Sequence, residues 1–396
     1  MRILAIETSC DETAMSLLEA NLTEVKPRGT GDLTSVKFNL LAHDVASQVT
    51  VHKEWGGVVP MLAKREHIIN LPIMLEKLFP NSFSPNPEPN TYQLAPDLIT
   101  VTCGPGLEPA LWEGINFAKK LAAKWNISIV ATDHMHGHIV SAMLKLNSKL
   151  KNNKSKIEYE LQTLEFPAIA LLISGGHTQL VLMQSMNNFE IVGNTRDDAV
   201  GEAFDKVARI LGLPYPGGPE ISKLASQFKP NNLETKQPKT YILPRPMLHS
   251  GDLDFSFSGL KTAVLYLVKR IKEENKREEL TQEEKIEIAY EFEQAVTEVL
   301  IKKTAAAIQM CAAKSLLVGG GVIANKTISN RLRDWISKSR DLISLYLPDQ
   351  KFTGDNATMI GVAGYLHSKG GTVNTLAPGS HLFDKLKANG NLCLYK

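Results

Sequence analysis

Ala168-Ile169-Ala170-Leu171-Leu172-Ile173-Ser174-Gly175-Gly176-His177-Thr178 is the stretch that decides the fold class. Six apolar residues without a polar break read as a strand covered on both faces, because a strand with one wet face would alternate. The run ends on two glycines, where the backbone turns tightly and its amides can approach an anion. The same pattern recurs. Leu98-Ile99-Thr100-Val101 runs into Gly104-Pro105-Gly106 and then a helix-like stretch from about Pro109 to Trp125. Ser315 to Val318 runs into Gly319-Gly320-Gly321. Residues 2–8 form another short apolar strand, followed after a polar turn by a second strand near residues 14–19. Strands that end in glycine turns before helices define an α/β protein, and those strand ends are where open α/β sheets bind ligands.

At 396 residues and 43% hydrophobic content, the chain is long enough for about two domains with sizeable cores. Three stretches lack periodic apolar positions and read as surface insertions or linkers: about 79–96, 146–158 and 227–240. The middle one carries Lys149, Lys151, Lys154 and Lys156 and marks the expected boundary between a first lobe over 1–145 and a second over 160–396, with the last helix, after about 356, packing back on the first lobe. Thr281 and Glu284 form a capping-box signature, and Ala289, Phe292, Val296 and Val299 follow at helical spacing, which predicts a core-facing helix from 281 to about 313.

Lysine plus arginine (44) nearly balance aspartate plus glutamate (42), which excludes a polybasic binder. Contact with a nucleic acid would therefore use local patches, such as Lys64 and Arg65, Lys119 and Lys120, or Lys269, Arg270 and Lys272. Each of these also reads as an ordinary solvated face. Cys10, Cys103, Cys311 and Cys393 are far apart and form no CxxC pair, so free thiols in a reducing compartment are expected. The chain opens on Ile3-Leu4-Ala5-Ile6 without a basic leader, and no apolar run is long enough to span a bilayer. The expectation is a cytoplasmic protein with no membrane partner.

His134-Met135-His136-Gly137-His138 places two imidazoles four residues apart, so on a helix both project from one face and can share a metal. A pair of polar surface histidines fits equally well. The metalloprotease pattern H-E-x-x-H is not met, since Met135 stands where the glutamate base belongs. His136 points to another face and reads as solvated. A two-histidine site needs a third ligand, and Asp355 in Thr353-Gly354-Asp355-Asn356 is the best carboxylate, although it also suits a helix cap ahead of Ala357. Such a nitrogen and oxygen donor set accepts iron or zinc.

The Ser174-Gly175-Gly176 turn can cradle a phosphate, and Gly319-Gly320-Gly321 with Asn325 offers a second glycine turn beside a side-chain amide. Neither ends in G-K-[ST], and neither fits G-x-G-x-x-G, so Walker and Rossmann sites are excluded. With Tyr215-Pro216-Gly217-Gly218-Pro219 they suggest a split nucleotide site. Glu7, Asp11 and Glu12 can orient a metal, a water or a substrate amine, or can occupy an exposed turn. Asp205, in Gly201-Glu202-Ala203-Phe204-Asp205-Lys206, can accept hydroxyl hydrogens from a ribose or a threonine, or can lie on a solvated helix face.

Taken in order, Ile6-Glu7-Thr8-Ser9-Cys10-Asp11-Glu12-Thr13, Gly56-Gly57-Val58-Val59-Pro60, Gly104-Pro105-Gly106-Leu107, the His134 and His138 pair, Ser174 to Thr178, Gly201 to Lys206, Tyr215 to Pro219, Phe255 to Thr262 and the Gly319 to Asn325 turn resemble the tRNA threonylcarbamoyladenosine transferase family, in its bacterial and organellar branch. The resemblance implies an actin-like ATPase fold of two related α/β lobes with a nucleotide cleft between them. It further implies transfer of a threonylcarbamoyl group from threonylcarbamoyl-adenylate to the exocyclic amine of the adenosine beside the anticodon in tRNAs reading codons that begin with A, with release of AMP. It assigns His134, His138 and Asp355 to one divalent ion, iron(II) or zinc, and Leu172, Ile173, Ser174, Gly175, Gly176, Asp205, Gly218 and Asn325 to the adenylate. Asp11, Glu12 and His177 are the candidates for taking the amine proton.

The implied partners are tRNA, a synthase that supplies the adenylate, and either a bacterial paralogue with an accessory ATPase or a second copy of this chain. Two positions depart from the family pattern: Ser222, where many relatives have an aspartate that touches the ligand, and His136, between the metal histidines. The competing readings are an actin-like small-molecule kinase and a non-catalytic scaffold paralogue.

Overall fold

The computed structural model describes residues 1–22, 36–79, 95–147, 157–229, 241–339, 342–369 and 375–393. Most of the three expected insertions, including Lys149, Lys151, Lys154 and Lys156, lies outside the described residues. Along the chain run β1 (Arg2–Glu7), β2 (Glu12–Leu22), β3 (Val36–Ser47), α1 (Pro60–Leu78), β4 (Leu98–Gly104), α2 (Glu108–Trp125), β5 (Ser128–Asp133), α3 (His134–Met143), β6 (Leu144–Leu146) and β7 (Ile157–Leu161). There follow β8 (Ala168–Ile173), β9 (Thr178–Ser185), β10 (Asn188–Asn194), α4 (Val200–Ile210), α5 (Gly217–Ala225), α6 (Ser258–Glu274), α7 (Gln282–Met310), β11 (Ser315–Gly319), α8 (Lys326–Lys338), β12 (Ser344–Tyr346) and α9 (Ala357–Lys369).

Contacts divide the chain into two units, one of residues 1–52, 58–164 and 347–396, the other of 53–57 and 165–346. In the first unit the strand order is β5-β4-β1-β2-β3-β7-β6, with Thr375–Leu376 added beside β5. In the second it is β10-β9-β8-β11-β12. The two share one plan. In each, three antiparallel strands in chain order (β1, β2, β3 and β8, β9, β10) are followed by a strand that returns parallel to the first of them, β4 beside β1 and β11 beside β8, with a fifth parallel beyond it. This repeat agrees with the two related α/β lobes that the family resemblance implies.

The apolar runs form the centres of both sheets because they are the strands with both faces covered. Ile3 to Ile6 and Ala168 to Ile173 are wholly buried. Helix α9 supplies one cover in the first unit. It begins on residue 357, and its buried face lies close to the sheet because two positions carry no side chain. A Cβ on Gly361 would stand 2.4 Å from Leu18, and one on Gly364 2.3 Å from Thr100. Asn126, in the left-handed region at φ 53°, stops α2. Helix α7 starts at the Thr281/Glu284 capping box and buries Ala289, Phe292, Val296 and Val299 completely. All four cysteines carry free thiols. No helix among the described residues is long and apolar enough to cross a membrane.

Candidate metal centre and cavity

Helix α3 starts directly on its first candidate ligand. Asp133 caps it, accepting the His136 amide hydrogen at 2.9 Å, so His134 and His138 fall in the first turns, one above the other. Their rings stand nearly perpendicular, with centroids 4.7 Å apart. Asp355 Oδ1 lies 3.4 Å from His134 Nε2 and 3.2 Å from His138 Nε2. Asp355 is not the cap of α9. Asn356 does that work, accepting the Met359 amide at 3.0 Å.

These three donors all lie within 4.8 Å of one another. A tetrahedral ion with bonds of about 2.1 Å spaces its ligand atoms about 3.4 Å apart, so the cluster needs little adjustment to close on a cation. Two further observations fit an ion. Neither ring nitrogen of fully buried His138 has a hydrogen-bond partner of good geometry, an expense that coordination would relieve. Acidic groups are also in surplus. Burial, with Asp355 and Asp11 nearby, pushes the Glu12 carboxyl up to about 10, and burial with Asp11 and Asp355 raises the Cys10 thiol well above its usual range. Burial works against charge on His134, yet Asp355 and Glu7 outweigh it and push the imidazole up to about 9. Burial holds His138 down.

Glu7, at the end of β1, fixes the first ligand. It is wholly buried and accepts from the Ser9 amide (2.5 Å), the Thr102 hydroxyl (2.5 Å) and His134 Nδ1 (3.1 Å). A carboxylate accepts only, so Nδ1 carries a hydrogen for Glu7, and Nε2, the nitrogen turned to Asp355, is the one a cation would take in place of its proton. Burial alone would raise the Glu7 carboxyl, but His134 and its hydrogen bond hold it below the usual range. Ser9 and Thr102, which secure Glu7, carry no sequence signal of that role beyond lying at strand ends.

The sequence alternatives of exposed turn and solvated face fail here. Asp11 is buried and Glu12 half-buried. His136, expected to be solvated, is 1% exposed and stacks on His367, its Nδ1 2.7 Å from His367 Nε2. Its partner comes from α9, 231 residues on, beyond the reach of local pattern.

The remaining candidates belong to the second unit. A cavity of about 630 Å³ is lined by Gly175, Gly201, Asp205, Gly218, Ser222 and Asn325, among others. A Cβ on Gly175, Gly176, Gly218 or Gly321 would meet nothing within 4 Å, so the backbone at these turns stands open to a ligand. Leu172 and Ile173 are wholly buried strand residues and can offer a ligand only backbone. His177 is half-buried, its amide hydrogen on Ser174 Oγ at 3.1 Å. Asp205 is not on a free helix face, since its Oδ1 accepts from the Gly217 amide at 2.6 Å and ties α4 to the start of α5.

Among the basic candidates, Lys64 pairs with Glu113, Arg65 with Glu66, Lys269 with Glu273 and Arg270 with Glu274, while Lys119 donates to the carbonyls of Asp384 and Leu386.

Gly201 controls one wall of the cavity. A Cβ there would stand 2.7 Å from the Ser174 carbonyl oxygen and 2.8 Å from Gly175 Cα, both backbone atoms that must move. Gly201→Ala is therefore expected to displace the Ser174-Gly175 turn and narrow the cavity, and a crystal structure of the variant with that turn unmoved would contradict it.

Two repeated α/β units, one with a His-His-Asp cluster suited to a metal and the other with an open glycine-floored cavity, define a metal-competent α/β protein of the actin-like class. The fold is similar to that of full-length HypF in its phosphate- and nucleotide-bound crystal form, with a TM-score of 0.50 at 12% identity over 93% of this chain; the chain spans only 46% of that protein. The model of the family described as TsaD, tRNA N6-adenosine threonylcarbamoyltransferase, matches residues 39–362. The chain is 40% identical over 369 residues to the tRNA N6-adenosine threonylcarbamoyltransferase of Chromobacterium violaceum, covering 93% of this chain and 94% of that one. It is 41% identical over 366 residues to the enzyme of the same name from Burkholderia ambifaria, covering 92% of each. The chain belongs to the tRNA N6-adenosine threonylcarbamoyltransferase family. Membership displaces the small-molecule kinase reading.

Proposed function

We propose that this chain transfers a threonylcarbamoyl group from threonylcarbamoyl-adenylate to the N6 amine of the adenosine next to the anticodon, in tRNAs reading codons that begin with A, and releases AMP. The observation that carries the reading is the meeting of His134, His138 and Asp355 in a chain of this family. A non-catalytic scaffold would have no need to keep that cluster.

His134, His138 and Asp355 would hold one divalent ion, iron(II) or zinc. When bound, the ion would supply Lewis-acid stabilisation of oxygen charge. The chain's own residues do the rest. The Gly175 and Gly176 amides face the adenylate phosphate, and the open backbone there supports this, while the Ser174 amide is held by the His177 carbonyl at 2.9 Å. Asp205, Gly218 and Asn325 frame the nucleoside. Holding donor and acceptor in attack geometry can lower the barrier by about 7–11 kcal/mol. The C–N bond forms as the bond between carbonyl carbon and phosphate oxygen breaks, and the N6 proton passes to a base. Asp11, Glu12 and His177 are the candidates for that base.

The working assembly includes tRNA, a synthase that makes the adenylate, and a partner protein. The partner is a bacterial paralogue with an accessory ATPase, or a second copy of this chain. Exposed Met61 and Ile68, seven residues apart on one face of α1, support a protein partner, since apolar residues grouped on one helix face invite cover. A cytoplasmic location agrees with the substrate.

The test is mass analysis of nucleosides from unmodified tRNA incubated with the protein, threonine, bicarbonate, ATP, the synthase and the partner proteins. A threonylcarbamoyladenosine peak that depends on this chain is expected. Its absence in the complete mixture would overturn the reading.

A further inference from the structure

Glu293 sits on α7, 2% exposed, with its carboxylate turned to two residues that line the cavity. Ser222 Oγ donates to Glu293 Oε1 at 2.8 Å, and Asn325 Nδ2 donates to the same oxygen at 2.7 Å. Asn325 Nδ2 also lies 2.7 Å from Ser222 Oγ, closing a triangle. On its other side Asn325 Oδ1 accepts the Ile328 amide at 3.0 Å and caps α8.

The chemistry of the triangle follows from Glu293 being an acceptor. It draws the Ser222 hydroxyl hydrogen and an Asn325 amide hydrogen to itself, which fixes the amide's orientation with nitrogen inward and oxygen on the helix cap. Ser222 Oγ has then spent its only hydrogen on Glu293 and one lone pair on Asn325. What it retains is a second lone pair, so Ser222 faces the cavity as an acceptor and not as a donor.

We propose that Glu293 is a positioning residue for the cavity: by claiming the Ser222 hydrogen it makes that hydroxyl an acceptor, and so selects ligands that present a hydroxyl donor there, as the ribose of a ribonucleotide does. The assignment rests on reading the cavity as the nucleotide pocket. Glu293 touches no ligand itself and acts through Ser222 and Asn325. In Glu293→Met the acceptor oxygen is gone, the Ser222 hydrogen is released to turn outward, and the site no longer favours a donor; Glu293→Gln, which must keep its Oε1 against the Asn325 amide nitrogen, should retain the preference.

The full-length protein is titrated by calorimetry with AMP, 2′-deoxy-AMP and 3′-deoxy-AMP. The expected wild-type result is a preference for AMP of at least about fivefold over one of the deoxy analogues, of order 1 kcal/mol. Glu293→Met and Ser222→Ala are each expected to bring that preference within about twofold, with the lost affinity falling on AMP and little on the analogue. An equal loss for AMP and analogue in Glu293→Met would mark a merely structural role and overturn the proposal. So would a preference retained in either variant. If Glu293→Met fails to fold by circular dichroism, Glu293→Leu is titrated in its place and judged by the same outcomes. AMP binding with no discrimination in the wild type sinks the Glu293 assignment but leaves the pocket standing, whereas no AMP binding at all overturns both.

Discussion

Asp355→Ala is expected to lower threonylcarbamoyladenosine formation by about 1,000-fold or more, the rate equivalent of the several kcal/mol that a bound cation supplies to transition-state charge. His138→Ala is expected to do the same. Thermal unfolding of the variant separates this loss from misfolding. Asp355 does not cap α9, since Asn356 accepts the Met359 amide, so the helix keeps its start when the carboxylate is removed. Removing Asp355 also relieves the acidic surplus that burdens Glu12 and Cys10. The variant should therefore unfold at a temperature close to that of the metal-free parent. Product assays beside metal analysis by mass spectrometry decide the matter. A variant that loses the ion yet keeps its rate would detach the metal from the chemistry.

The second large effect is expected at Glu7. Glu7→Ala strands the Ser9 amide, the Thr102 hydroxyl and His134 Nδ1 in a fully buried place, and breaking a buried charged network of this kind costs about 3–5 kcal/mol. The protein should show that loss as an earlier urea midpoint. Glu7→Gln keeps the volume and one acceptor oxygen, so it should fold while holding His134 less firmly. Metal affinity is then expected to fall about 10- to 100-fold, the usual cost of losing a carboxylate behind a ligating histidine. A Gln variant that binds metal as tightly as the parent would remove Glu7 from the centre.

Much of this architecture is legible in the chain because it depends on local pattern. Ala168 to Ile173 and Ser315 to Val318 declare themselves as doubly covered strands by lacking polar breaks, and β8 and β11 follow them closely. The helical spacing of His134 and His138 and the Thr281/Glu284 box are also local, and they appear where expected. Boundaries are less legible: β2 runs to Leu22, past the 14–19 read from apolar content, because pairing with β3 continues where burial ends.

What the sequence hides are contacts made across long separations. His136 reads as a polar residue on the far side of the metal helix, and only the arrival of His367 from α9 buries it. Glu293 reads as one more acidic position on a long amphipathic helix until folding brings Ser222, 71 residues before it, against its carboxylate. Asp355 and Asn356 are both good cap residues in sequence. The structure assigns the cap to Asn356 by a single hydrogen bond, and Asp355 reaches the two histidines.

The most direct test of the account is an anomalous-scattering difference map from crystals of the protein loaded with one equivalent of iron(II) or zinc. One peak is expected, about 2.1 Å from His134 Nε2, His138 Nε2 and an Asp355 carboxylate oxygen, with His134 Nδ1 still on Glu7. A peak at another site, or one that lacks any of these three ligands, would contradict it.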